Sequence, residues 1–420
     1  MELKPGYKQT EVGVIPADWG TSDLERISLV PMQNGLFYEP NRKGRGVHLV
    51  NVGDMYTAAP ISIETLDLFD ATTSQIQNFR AQEGDLFFTR SSVVPSGIAY
   101  CNILPDCKEA DVVFDSHVIR VRANPNIMDA RFLYLNCLGV HSRKYLVSSA
   151  KTATMTTIDQ GALKRCPVLV PPLPEQRAIA TALSDVDALL DGLDRLIAKK
   201  RDLKQAAMQQ LLTGKTRLPG FKGEWEVKRL GDMGGFLKGS GVRKDEAQSG
   251  DLPCIRYGEI YTHHNDYVLS YNSWISSSVA STAVRLKKGD ILFAGSGETK
   301  DEIGKCVAFI DDREAYAGGD IVILRPHEAD PIFMGYYCNT TPVRKQKASR
   351  GQGDAVVHIS ATALSSVEVK VPSLPEQTAI ATILSDMDAE LAALEQRRNK
   401  TKDIKQAMMQ ELLTGKTRLT

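Results

Sequence analysis

The segment Pro171–Leu218 aligns without a gap on Pro372–Leu419, 201 positions later, and both copies close on LLTGKTRL. Roughly two thirds of the paired positions are identical, far more than two unrelated helices share. A repeat this long constrains the fold strongly, because whatever the first copy packs against must have a counterpart beside the second. Upstream of each copy the correspondence is looser: HLVNVGDMY (48–56) lies over PCIRYGEIY (253–261), and EGDLFFTRSS (83–92) over KGDILFAGSG (288–297). TTIDQGALKRCPVLVP (156–171) lies over VHISATALSSVEVKVP (357–372). The repeat is also cyclic. PGFKGEW follows the first LLTGKTRL, a similar PGYKQTEVGVIPADW opens the chain, and the second LLTGKTRL closes it. The order predicts a pseudo-twofold object whose chain ends meet at a place equivalent to mid-chain.

The letters GKT invite comparison with a phosphate-binding loop, but that motif needs a glycine five residues earlier, after a strand. Gln209 and Gln410 stand there, and the preceding residues read as helix. Gly214 and Gly415 are therefore expected to end helices, with Lys215, Arg217, Lys416 and Arg418 near the negative pole. Pro174 and Pro375 suit a first helical turn. Ile179, Leu183, Val186, Leu190, Leu193 and Ile197 follow coiled-coil spacing, as do Ile380, Leu384, Met387, Leu391 and Leu394. Past Ile197 the row meets Lys200 and Lys204, and the stripe is expected to shift to Leu203, Ala207 and Leu211. A helix from 175 to 213 would span roughly 57 Å, with its own twin as antiparallel partner. The parts between are rich in short strand-like runs punctuated by Gly, Asp, Asn and Pro. The expected fold is α+β: two pseudo-symmetric α/β domains, each mixing strands with short helices, separated by two long antiparallel helices forming a coiled coil. The boundaries expected are 1–167 and 218–368 for the domains, 168–217 and 369–420 for the helices.

Seven widely spaced cysteines without a C-x-x-C pair argue for reduced thiols and against zinc, and fit a cytoplasmic protein. His263-His264 is the only histidine cluster and reads as a solvated loop. No apolar run of membrane-spanning length occurs. Lysine plus arginine equals aspartate plus glutamate, 51 each, so any nucleic-acid footprint must be local.

Two diverged heads on an unchanged spacer suit a divided target such as DNA, whose helical turn is about 34 Å. The PPLPEQ and PSLPEQ openings with their A…LS..D continuations, the LLTGKTRL closings and the GVIPADW and GEW entries resemble the specificity subunit of type I restriction-modification systems. This resemblance covers nearly the whole chain. It implies that each recognition domain reads one half of a bipartite asymmetric site in double-stranded DNA. It implies helices that set the gap and dock two methylating subunits, which nuclease/translocase subunits then join. S-adenosylmethionine, ATP and magnesium belong to those partners; no cofactor, metal or catalytic residue is expected here. Two other readings are a symmetric coiled-coil scaffold and a self-contained methyltransferase. The second would use FAGSG (293–297) as a cofactor loop, but the equivalent place reads FTRSS and no target-amine tetrapeptide is present. EVK at 368–370 fits strand alternation better than a nuclease site.

Base edges are read by Arg, Lys, Asn and Gln, and phosphates are held by Ser, Thr and amide groups. One candidate loop follows the Gly-Asp strand: Thr89, Arg90, Ser91 and Ser92, with Ser296 and Lys300. A second comprises Lys151, Thr152 and Thr154, with Arg350 and Gln352. Basic runs add Arg42, Lys43 and Arg45; Lys238, Arg243 and Lys244; and Arg344, Lys345 and Lys347.

Overall fold

A computed structural model describes residues 5–37, 39–57, 59–107, 110–152, 154–353 and 356–419. The chain divides into two compact units, Met1–Asp194 with Arg397–Thr420, and Arg195–Gln396. A first unit assembled from both ends of the chain is what the cyclic repeat demands.

The long helices are Leu173–Leu211 and Leu374–Leu412, each of 39 residues with a glutamate in the first turn. Gly214 and Gly415 follow their ends with φ of 67° and 69°, the left-handed turn that stops a helix. Within the first unit, Asp187 pairs with Lys405 and Asp194 with Arg398, so the helix segments there run antiparallel. Within the second, Lys204 pairs with Asp388 and Lys200 with Glu390, again antiparallel. Ile179, Leu183, Leu193 and Ile197 are buried, as are Ile380, Leu384 and Leu391. Of the residues expected to carry the stripe on, Leu203 is 47 % exposed, whereas Leu211 is buried and Ala207 packs against the core. The row between runs through Lys200 and Lys204, whose ammonium groups reach acids across the seam.

Each unit has a four-stranded antiparallel sheet. In the first the order is Gln33–Asn34, Val118–Val121, Leu86–Thr89, Cys101–Ile103; in the second, Gly234–Lys238, Ile321–Pro326, Ile291–Ala294, Cys306–Ala308. A second sheet pairs Lys43–Val50 with Val112–Phe114 in parallel and with Asp67–Phe69 antiparallel. Its counterpart pairs Leu252–Ile255 with Tyr316–Ala317 in parallel and with Ser273–Ile275 antiparallel. Glu368–Val371 is a strand with Val369 and Val371 buried and Glu368 and Lys370 exposed, so EVK is alternation.

The repeated end motifs form one clamp per unit. Arg418 donates from Nε to Glu175 at 2.6 Å and from Nη1 to Asp18 at 2.9 Å, and lies over the Trp19 ring. Trp19 Nε1 donates to the same Glu175 at 2.9 Å. In the second unit Arg217 donates to both oxygens of Glu376 at 2.6 Å and lies over Trp225, whose Nε1 finds no partner among the described residues. Both glutamates are buried. The arginine of LLTGKTRL, the glutamate of LPEQ and the tryptophan of the entry segment are thus parts of one joint. Tyr7 donates to the Gly415 carbonyl at 3.0 Å, joining the chain's opening residues to its closing ones.

Candidate nucleic-acid interface

The strand after each Gly-Asp is held by its buried aspartate. Asp85 receives Arg122 at 2.6 and 2.7 Å, and Asp290 receives Arg325 at 2.8 Å on both oxygens. Past the strand, the chain enters a small ladder. In the first unit Ser91–Ser92 pairs with Thr156–Thr157, which pairs with Lys151–Thr152. In the second, Ser296–Gly297 pairs with Val357–His358, and His358 bridges to Gln352. The two loops named from sequence in each half are therefore brought together, in equivalent register, at the end of equivalent strands.

Within these ladders Arg90, Thr154, Lys300 and Gln352 are exposed. Lys151 is exposed beside Asp159 at 3.6 Å, and Thr152 bonds Thr156 through its hydroxyl at 3.2 Å. Ser91 is half-buried. Thr89, Ser92 and Ser296 are buried and hold the frame. Thr89 donates to the Gly97 carbonyl, Ser92 to Val94, and Ser296 Oγ lies 2.9 Å from His358 Nδ1. Arg350 commits its guanidinium to Ser366 and Gln346.

The basic runs lie elsewhere. Arg42 is tied to Asp70 and Gln75 and covers Phe69, Lys43 pairs with Asp67 at 2.7 Å, and Arg45 with Asp70 at 2.9 Å. Lys238 ends a strand, Arg243 and Lys244 occupy a short turn, and Arg344 and Lys345 face solvent on the helix Thr341–Arg350. Lys347 faces inward instead, because it lies one helical turn after buried Val343. It is fully enclosed, donates to the Gly304 carbonyl and lies over Phe293; burial lowers its pKa. Arg143 has the same task in the first unit, donating to the carbonyls of Ser96, Ile98 and Ala99 at 2.7–2.9 Å. Ala99 and Gly304 both have positive φ, 47° and 69°, so the two cations grip equivalent turns.

Several residues of this surface carried no sequence signal. His117 is exposed beside Arg90, whose amide donates to the His117 carbonyl at 2.8 Å. Val93 and Val94 are 85 % and 56 % exposed in the loop after Ser92. In the second unit a cleft of about 440 Å³ runs between Tyr257, Tyr261, Ser296, Glu298 and Glu302. The aligned Tyr56 and Tyr261 of GDMY and GEIY were the available clue, since they donate to the equivalent carbonyls of Gly97 and Glu302. His264 departs from the solvated loop expected. It is 4 % exposed, and burial lowers its pKa to about 4. FAGSG is a packed strand and turn, with Gly295 against the backbone of Asp320. Among the described residues no cluster of three metal-ligating side chains occurs, and no helix is long and apolar enough to cross a membrane.

The profile of the type I restriction modification DNA specificity domain matches the chain twice, over residues 18–199 and 222–403. The chain is 24 % identical to a putative type I restriction enzyme MjaX specificity subunit of Methanocaldococcus jannaschii, over 98 % of this chain and 97 % of that protein. It is 21 % identical to the EcoKI specificity subunit of Escherichia coli over 44 % of this chain and 41 % of that one. Its fold is similar to that of the type I S subunit from M. genitalium, with a TM-score of 0.58 at 15 % identity and 98 % coverage of both chains. It is also similar to the HsdS subunit from Thermoanaerobacter tengcongensis, with a TM-score of 0.52 at 18 % identity, covering 96 % of this chain and 98 % of that one.

Proposed function

Because this chain belongs to the type I restriction modification DNA specificity family, we propose that it is the DNA-reading specificity subunit of a type I restriction-modification complex. Each recognition domain reads one half of a bipartite asymmetric site, and the helices set the gap and dock two methylating subunits. Nuclease/translocase subunits join that core in the cytoplasm. The chain supplies sequence choice; S-adenosylmethionine, ATP and magnesium act on the partner subunits. One observation carries this reading: the same ladder is built in both units, while the side chains it presents differ. Arg90 and Lys151 offer donors to guanine and phosphate, whereas Gln352 suits adenine and the neighbouring Glu298 can accept from the amino group of cytosine.

Mapping methylated adenines in a genome that carries this chain with its methylating partner tests it. The expected result is one split motif with two different halves. A continuous or palindromic motif would overturn the reading. Deleting one heptad from both helices should shorten the gap without changing either half.

A further inference from the structure

A cavity of about 760 Å³ lies in the first unit, between the helix Ala130–Leu138, the long-helix segments around Asp187 and Lys405, and the segment at Pro60. The second unit shows what occupies the equivalent place. There Asp388 pairs with Lys204 through one oxygen, and its other oxygen receives the hydroxyl of Tyr336 and, at 3.5 Å, that of Tyr267. Lys204 lies 5.0 Å from the centre of the Tyr336 ring. The ion pair recurs in the first unit as Asp187 with Lys405, but Leu135 stands for Tyr336 and Pro60 for Tyr267. The second oxygen of Asp187 has no donor among the described residues.

Two features hold this space open. In the second unit Ala308 donates to the Asp266 carbonyl and Val268 to that of Ala308, so residues 266–268 lie directly on the strand edge. In the first unit the outer bond remains, Ile61 to Ile103 at 3.2 Å. The inner one is replaced by Asn102, whose Oδ1 accepts from the Ile103 amide while its Nδ2 donates to the Ala59 carbonyl. A buried amide side chain thus spaces the segment off the sheet. Gly335, where a Cβ would come within 2.1 Å of the Asp266 carbonyl oxygen, is replaced by Tyr134. Tyr134 is 8 % exposed and lines the cavity, yet its hydroxyl finds no partner among the described residues. This hydroxyl is open to the cavity and free to bond a group that enters it.

We propose that the first unit's cavity binds a phenol-bearing group, whose ring lies on Leu135, Met128 and Met409 and whose hydroxyl donates to Asp187 and accepts from Tyr134. The second unit carries that phenol within its own chain. The first takes it from outside, either as a free small phenol or as a tyrosine side chain of a partner protein. The binding needs no DNA and does not rest on the reading of the ladders.

The test titrates the full chain, methyl-labelled at methionine, with 4-methylphenol, toluene and N-acetyl-L-tyrosinamide. The Met128 and Met409 methyl signals should move with 4-methylphenol. Toluene, lacking the hydroxyl that reaches a charged acceptor, should bind roughly tenfold more weakly. Leu135→Tyr, which restores the tyrosine of the other unit, should abolish the shifts. Pro60→Tyr fills the space from an exposed loop and should do the same should the first variant fold poorly. Shifts with both phenols assign the site to a tyrosine of a partner chain; shifts with 4-methylphenol alone assign it to a small phenol. No shift, equal binding of toluene, or shifts that survive in both variants would overturn the proposal.

Discussion

The clamps of the two units and their small ladders teach opposite lessons. At the clamps, Arg418, Glu175 and Trp19 recur as Arg217, Glu376 and Trp225, and the geometry recurs with them. At the ladders the register recurs, but Arg90 and Lys151 have Gly295 and Gln352 as counterparts. Side chains that hold the frame are repeated because any change breaks a buried network. Side chains that the frame does not use are free to differ once the strands beneath them are fixed.

The comparison can be broken most severely at the clamp. Glu175→Ala removes a buried acceptor shared by Arg418 and Trp19, and should cost about 4 kcal/mol in chemical unfolding. Glu376→Ala should cost about 1 kcal/mol less, since Trp225 makes no equivalent bond. Equal losses would show that the indole bond contributes nothing.

The second effect belongs to one unit only. His264 is neutral in the fold because its pKa is lowered to about 4, whereas an unfolded histidine titrates near 6.5. Below that value the unfolded chain takes up a proton that the folded chain refuses. Stability is therefore complete above about pH 6.5 and declines as pH falls toward 4, by on the order of 3 kcal/mol, then levels off. Unfolding curves of His264→Gln should lack this loss.

The turn-holding cations sharpen the contrast further. Arg143→Met deletes three bonds to carbonyls and should destabilise the first unit by about 2 kcal/mol, with weaker binding at its half-site. Lys347→Met removes a buried ammonium with one carbonyl partner and should lie within about 1 kcal/mol of neutral, since desolvation of the charge offsets its bond. At the surface, Arg90→Ala should weaken binding to the first half-site by about 1–3 kcal/mol if it reads a base, and equally on random DNA if it touches only phosphate. Arg350→Ala should act on stability, by about 1 kcal/mol, because its guanidinium is already committed to Ser366.

Much of the frame was legible because repetition doubles every weak signal. The helix pair, its antiparallel sense and the glycine ends all follow from aligned copies, and so do two candidate loops per half, though not their pairing with each other. What escaped was set by three-dimensional context. Lys200 and Lys204 looked like a break in the seam, since sequence does not show the acids that await them across it. Arg344, Lys345 and Lys347 share one short helix and look alike in the sequence; only the direction of Val343 decides which cation turns inward. The burial of His264 depends on residues far along the chain, such as Lys305, which donates to its carbonyl at 2.8 Å.

The turn gripped by Arg143 has a consequence for motion. Ala99 holds a left-handed backbone that costs an L-residue about 1 kcal/mol, a cost Gly304 does not bear. Alanine also visits fewer conformations than glycine when released. The first head's fingertip, Val93 to Ser96, is thereby anchored to a stiffer knuckle than that of the second. It should meet its half-site with less freedom left to lose, and so engage it with the smaller entropic penalty of the two.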